Sequence, residues 1–273
     1  MPMDPFQARV AQVALHAAAG RTFALAGGNA LIAHGLLTRP TQDVDLFTPE
    51  AGGAAAVLEA VRGALVGDGF TVDVTRGPTG HIGDFAQLRV SRDDLVTQVD
   101  LGRDWRAREA VTLDIGPVLH LDDAVAAKAT ALLGRALARD FIDVAAALDR
   151  YSRSRLLQLA FERDPGLRVL DVAFAAQRLD RLPDDQFLYY ALSPDQVLKM
   201  RARYTDWPRD STIDQIAQEA HDRVHGTDQS PAQRARAAYP LPLTQALQPP
   251  APPPAHPTAR GPRLGDPPPG RRM

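Results

Sequence analysis

Residues 22–47, TFALAGGNALIAHGLLTRPTQDVDLF, decide how this chain folds. TFALAGG reads as a buried strand that ends in a glycine turn. NALIAHGL reads as a short helix with Asn29 at its N-cap, where a side-chain oxygen can accept a free backbone N–H. RPTQ is a turn, and DVDLF alternates like a strand. Fourteen residues separate Gly28 from Asp43. That leaves room for one short helix and a turn, so the second strand returns beside the first and the glycine turn lies next to the acids.

Asp43 and Asp45 sit two apart on this strand and therefore share a face, while Val44 and Leu46 point to the core. Two carboxylates on one face repel, and both stay ionised most easily with a cation between them. Mg²⁺ suits such a pair, because it takes one or two protein carboxylates and fills its shell with water and substrate phosphates. Gly27 and Gly28 let backbone approach a ligand closely, and the helix start offers N–H groups to an anion. A triphosphate between that helix start and a metal on Asp43 and Asp45 is a sensible arrangement. Alone, Asp-x-Asp also describes a solvated strand edge, and Gly-Gly a tight turn; their spacing joins them. Asp100, in LVTQVDLG, is the third acid for a second metal or for deprotonating a hydroxyl. Val99 and Leu101 would face one side there and Asp100 the other, although an edge-strand acid reads the same way. Asp93 and Asp94 fall in a turn.

Outward from this stretch, residues 5–19 have helical spacing at Phe6, Val10, Val13, Ala14 and Ala17. AAAVLEAVRGALVGDG is an amphipathic helix closed by glycine. FTVDVT, FAQLRVS and LVTQVDLG read as strands, and VTLDIG and PVLHL as short extended pieces. From Asp122 the period becomes helical: DDAVAAKATALLGRALARDFIDVAAALDRY reads as one helix carrying Lys128, Arg135, Arg139, Asp140 and Asp143. Helical segments continue to about residue 225, punctuated by DPG, LPDD and SPD. From Pro240 onward there are 12 Pro in 34 residues, with too little apolar surface to offset the entropy of ordering. The fold class is α+β, with a mixed α/β domain over 1–121, a helical domain over 122–225 and a disordered Pro-rich tail over 226–273.

The bulk numbers agree with a globular protein. Of 273 residues, 45% are hydrophobic and the formal net charge is −2. That excludes a chain made basic throughout to coat nucleic acid, and leaves room for a local basic groove. Without cysteine there are no disulfides or thiolate metal sites, which makes a reducing, cytoplasmic setting the expectation. The N-terminus lacks the pattern of a signal peptide, and no window approaches the ~18 apolar residues of a spanning helix. The histidines, His34, His81 and His120 among them, show no zinc spacing. Phe187, Tyr189, Tyr190, Tyr204 and Trp207 read as packing in the helical region, with base stacking the alternative. Lys128 is one of only two lysines, the other being Lys199. A compact ammonium suits a phosphate as a point charge. Asp140 and Asp143 also read as partners in helix-surface salt bridges, each worth about 0.2–0.5 kcal/mol.

These residues resemble a known pattern. Gly-Gly, a helix and Asp-x-Asp on the next strand are similar to the nucleotidyltransferase fold of DNA polymerase β type. Arg39, Thr41, Asp43 and Asp45, as Arg-x-Thr-x-Asp-x-Asp, resemble the AbiEii/AbiGii-type toxin nucleotidyltransferases, a family that includes the MenT-type toxins. The later Lys, Arg and Arg-Asp-x-x-Asp resemble that family's helical element. The resemblance covers about Thr22 to Leu148. It implies a nucleotidyltransferase-type mixed sheet flanked by helices and followed by the helical region. It also implies that Gly27, Gly28, Asn29 and Arg39 hold the nucleotide and that Asp43, Asp45 and Asp100 bind Mg²⁺. Lys128 would neutralise phosphate, and Asp140 or Asp143 would orient it or touch the nucleotide. Family members commonly carry Ser or Thr where this chain has Asn29.

The activity so implied is Mg²⁺-dependent transfer of a nucleotidyl group from an NTP to a hydroxyl, with tRNA as acceptor and a cognate antitoxin as partner. Two alternatives stand beside it. One is an enzyme of the same fold acting on a small, antibiotic-like acceptor, which the absence of a dense basic stretch mildly favours. The other is a nucleotide-binding or interaction module without catalysis, against which the three acids count.

Overall fold

The computed structural model describes residues 3–79 and 83–209. The expected Pro-rich tail (226–273), the end of the expected helical domain (210–225) and His81 lie outside these residues.

Helix α1 (Pro5–Ala17) starts at Asp4, whose carboxylate accepts from the Gln7 N–H at 3.0 Å, with Pro5 in the first turn. Strand β1 (Ala24–Leu25) leads into α2 (Gly27–Ala33), and β2 (Asp43–Thr48) returns antiparallel to β1. Helix α3 (Gly53–Gly67) follows, then β3 (Thr71–Thr79), β4 (Phe85–Arg92) and β5 (Leu95–Arg103). The hairpin β6 (Val111–Leu113) and β7 (Gly116–Val118) completes one sheet of order β3-β4-β5-β2-β1-β7-β6. β2 and β5 run parallel, as do β1 and β7. The sheet is therefore mixed, with parallel contacts at the two places where the chain crosses over.

Alternation separates the two faces of the sheet. Val44, Leu46, Ala86, Leu88, Val90, Val99 and Leu101 have no exposed surface. Against this apolar side pack α1 and α3, the latter through a stripe of Ala54, Val57, Leu58, Val61 and Leu65. Burying each such Val or Leu contributes about 1.5–3 kcal/mol. The intervening residues, Asp43, Asp45, Phe47, Gln87, Gln98 and Asp100, lie on the opposite face and keep partial exposure.

From Leu121 onward every described element is helical: α4 (Leu121–Arg135), α5 (Ala138–Ala147), α6 (Arg153–Arg163), α7 (Val169–Arg181), α8 (Asp185–Leu188) and α9 (Pro194–Ala202). The single helix expected after Asp122 is two helices. α4 ends at Ala136, which takes a left-handed conformation at φ 49°, and α5 begins after Leu137. The left-handed position itself is Ala, with Gly134 two residues before it inside α4. Asp140 holds the corner, with a bidentate ion pair to Arg135 and a bond from the Leu137 N–H at 3.1 Å. Among the described residues no helix is long and apolar enough to cross a membrane.

Candidate active site

The cleft lies between the polar face of β2 and β5, the glycine turn, and the helices α4 and α5. Its cavity is about 320 Å³, within the range of small-molecule sites. Asp43, Asp45 and Asp100 line it, together with Gly27, Gly28, Arg39, Lys128, Arg135 and Arg139.

The acids come from neighbouring strands in matched register. Asp45 pairs with Asp100 across β2 and β5, and Asp43 pairs with Gln98. Asp45 packs under the glycine turn: a β-carbon on Gly27 would lie 1.7 Å from Asp45 Oδ2. Gly27 also has φ +59°. Only glycine satisfies both conditions. Burial, and next the charge of Asp43, push the Asp45 carboxyl up to about 7, against the pull of Lys128 and Arg139. Burial also raises Asp100, while Gln87 and Gln98 pull it back by each donating to its Oδ1 at 3.0 Å.

Lys128, Arg135 and Arg139 come from the opposite wall, on α4 and α5, and Arg39 from the loop that leads into β2. Arg39 makes a bidentate pair with Asp143 at 2.7 and 2.8 Å, and Lys128 Nζ lies 2.9 Å from the same carboxylate. Asp143 and Asp140 are both fully buried. They are not helix-surface salt-bridge partners, and they do not line the cleft. They stand behind the cations and fix them: Asp143 holds Arg39 and Lys128, and Asp140 holds Arg135. That bracing fits the orienting role expected of them.

Asn29 is not the N-cap expected from the sequence. The helix begins at Gly27, with Ala26 as its cap, so Asn29 sits inside the first turn. Its side chain is buried and its hydrogen bonds are committed. Nδ2 donates to the Asp43 carbonyl at 2.8 Å and to Gln7 Oε1 at 3.2 Å, and Oδ1 accepts from the Thr41 hydroxyl at 2.8 Å. The Asn29 side chain therefore fixes the start of β2. The first intrahelical bond runs from the Ala30 N–H to the Ala26 carbonyl, so the N–H groups of Gly27, Gly28 and Asn29 have no acceptor within the helix.

Arg139 and Tyr190 are cleft residues that sequence reasoning missed as ligands. The Arg139 Nε is buried without a hydrogen-bond partner. Its signal was present, since Arg139 opens Arg-Asp-x-x-Asp, but helix periodicity assigned it to the surface. Tyr190 lies under the Arg39 guanidinium, 5.4 Å from ring centre to Cζ, while Phe187, Tyr204 and Trp207 pack the helical core. His34 is structural, with Nε2 2.8 Å from the Leu119 carbonyl oxygen.

The chemistry of this donor set fits a divalent ion held by two carboxylates. Among the described residues no three His, Asp or Glu side chains converge on one ion position. Asp43 and Asp45 form a crowded anionic pair, which an ion completed by substrate oxygens would relieve.

A mixed sheet with this acid register, facing cations braced from behind, defines a nucleotidyltransferase. The family model described as the nucleotidyl transferase AbiEii toxin of type IV toxin–antitoxin systems matches residues 10–219. The chain belongs to that family and is a nucleotidyltransferase of toxin type. Among solved structures it is similar to MenT4, the nucleotidyltransferase toxin Rv2826c from Mycobacterium tuberculosis H37Rv. The identity is 24% over 81% of this chain and 90% of that one, with a TM-score of 0.53, a likeness of fold. JHP933 from Helicobacter pylori aligns at 14% identity over 83% of this chain and 100% of that one, with a TM-score of 0.47. A search of curated proteins gives no match.

Proposed function

We propose that this enzyme transfers a nucleotidyl group from an NTP to a hydroxyl of tRNA, with Mg²⁺ on Asp43 and Asp45, and that a cognate antitoxin restrains it. The observation that carries this reading is the pairing of Asp45 with Asp100 on one wall, opposite Lys128 and Arg139 on the other. In this reading residues 1–121 form the nucleotidyltransferase domain, and 122–225 the helical domain that completes the site.

The N–H groups of Gly27 and Gly28, with Arg39, Lys128 and Arg139, bind and orient the triphosphate. Arg139 brings an unpartnered buried N–H to it, and Lys128 keeps donors free beyond its bond to Asp143. Bound Mg²⁺ supplies charge neutralisation at the transferred phosphoryl and its leaving group. Asp100, held by two glutamines through one oxygen, keeps Oδ2 for the acceptor hydroxyl and takes its proton as attack proceeds. The bond between the α- and β-phosphates breaks, pyrophosphate leaves toward Lys128, and the nucleotide is joined to the acceptor oxygen.

The test is incubation of the full chain with each of the four α-labelled NTPs and total tRNA, with EDTA and with Mg²⁺ restored. Label on tRNA that disappears with EDTA and returns with Mg²⁺ is expected. Label on a small-molecule acceptor with none on tRNA would overturn the acceptor assignment.

A further inference from the structure

Beside the acids, the polar face of the sheet carries an aromatic row that the transfer chemistry does not use. Phe47 on β2 pairs with Gly102 on β5, and Gly102 pairs with Phe85 on β4. This row lies two residues along from Asp45 and Asp100, a strand distance of about 6.6 Å. A β-carbon on Gly102 would sit 3.0 Å from Cδ1 and Cε1 of Phe47 and 3.6 Å from Cδ2 of Phe85. Both rings therefore lie against the bare glycine and share one low shelf. Phe47 lines the cleft, and both rings keep partial exposure.

We propose that Phe47, Gly102 and Phe85 form the stacking platform for the terminal base of an RNA acceptor. The inference rests on the transfer reading above and adds what the acceptor must present. Three observations select this occupant. The platform extends onto β5 and β4, on the side of Asp45 away from the glycine turn, so in-line attack on a triphosphate at that turn brings the acceptor from here. The Arg76 guanidinium lies 5.5 Å from the Phe85 ring centre. An arginine beside an aromatic shelf complements a phosphate-linked base and repels an amine-rich sugar. Finally, one strand step from the acids to the rings is the scale of a ribose between its hydroxyl and its base.

The platform is tested by binding as well as turnover. The probe is a short RNA whose last base is a fluorescent aminopurine, which stacking quenches. Its control is the same RNA ending in an abasic ribose and labelled at the other end. The wild-type chain should quench the aminopurine and bind the base-ended RNA about tenfold more tightly than the abasic one. Phe47→Leu and Phe85→Leu should each remove most of that preference. Gly102→Ala should weaken it less, because the Phe47 ring must give by a few tenths of an ångström, and Phe47→Tyr should retain it. Thermal unfolding of each variant confirms that it folds. No quenching, equal binding of both RNAs, or an unchanged preference in the leucine variants overturns the platform. Label transfer, measured in parallel, separates the two ideas. Transfer without base preference leaves the enzyme reading intact and removes the platform; stacking without transfer to any RNA removes the enzyme reading.

Discussion

Asp45 and Lys128 face each other across the cleft from walls built in different ways. On the strand wall, Asp43, Asp45 and Asp100 are brought together by backbone register, and among the described residues no direct ion pair offsets Asp45. On the helix wall, buried carboxylates brace the cations: Asp143 holds Lys128 and also Arg39, which reaches it from the loop before β2, and Asp140 holds Arg135. The acids are left in need of a cation, and the cations are already oriented. One wall is set to bind a metal and the other to bind phosphate, and neither relaxes by collapsing onto its own partners.

The comparison breaks most visibly at Asp45. Asp45→Asn keeps the shape of the strand wall and removes its charge; label transfer should fall on the order of a thousandfold, the scale seen when a transition-state charge contact is lost. The helix wall is broken by Asp143→Ala. That change strands Arg39 and Lys128 and should cost about 3–5 kcal/mol of stability, as for other buried pairs that lose one partner. Urea unfolding measures the loss, and NTP titration should show weakened binding. A stability equal to wild type would mean the cations are held otherwise.

A smaller effect distinguishes the walls by pH. The folded-state pKa of Asp45 is raised to about 7, so between about pH 4 and 7 the folded protein holds a proton that the unfolded chain has released. Its contribution to stability is full below the unfolded value and is lost as pH rises through about 7. The metal-free wild type should therefore lose melting temperature relative to Asp45→Asn as pH climbs from 5 to 8, and Mg²⁺ at pH 8 should restore part of it. Parallel melting curves for the two proteins would contradict the raised value. The smallest effect is expected at Asn29. Asn29→Ala leaves the Asp43 carbonyl short of a donor, at about 1–3 kcal/mol, and should lower the transfer rate more than NTP affinity, because the side chain supports β2 rather than the nucleotide.

The strand wall was legible in the sequence and the helix wall only partly so. Alternation of Asp43 and Asp45 with Val44 and Leu46, and of Asp100 with Val99 and Leu101, displayed which face each acid takes. The order of strands that sets Asp45 against Asp100 is long-range and leaves no local mark. Asn29 misled because a short polar residue after glycines is a good cap, yet the glycines themselves form the first helical turn. At Ala136 the chain turns on a residue other than glycine, held by Asp140 from four residues on, so periodicity ran two helices into one. Once the chain bends there, Asp140 and Asp143 face inward, and what read as surface pairing becomes buried bracing.

The central claim is that Asp45 acts in the transfer itself. It is tested most directly by giving wild type and Asp45→Asn the same NTP labelled at the α- or the γ-phosphate, with tRNA and Mg²⁺. The account predicts α-label on tRNA with wild type, no γ-label with either protein, and no α-label with Asp45→Asn although that variant still folds and binds NTP. Retention of γ-label on the acceptor, or full α-label transfer by Asp45→Asn, would contradict it.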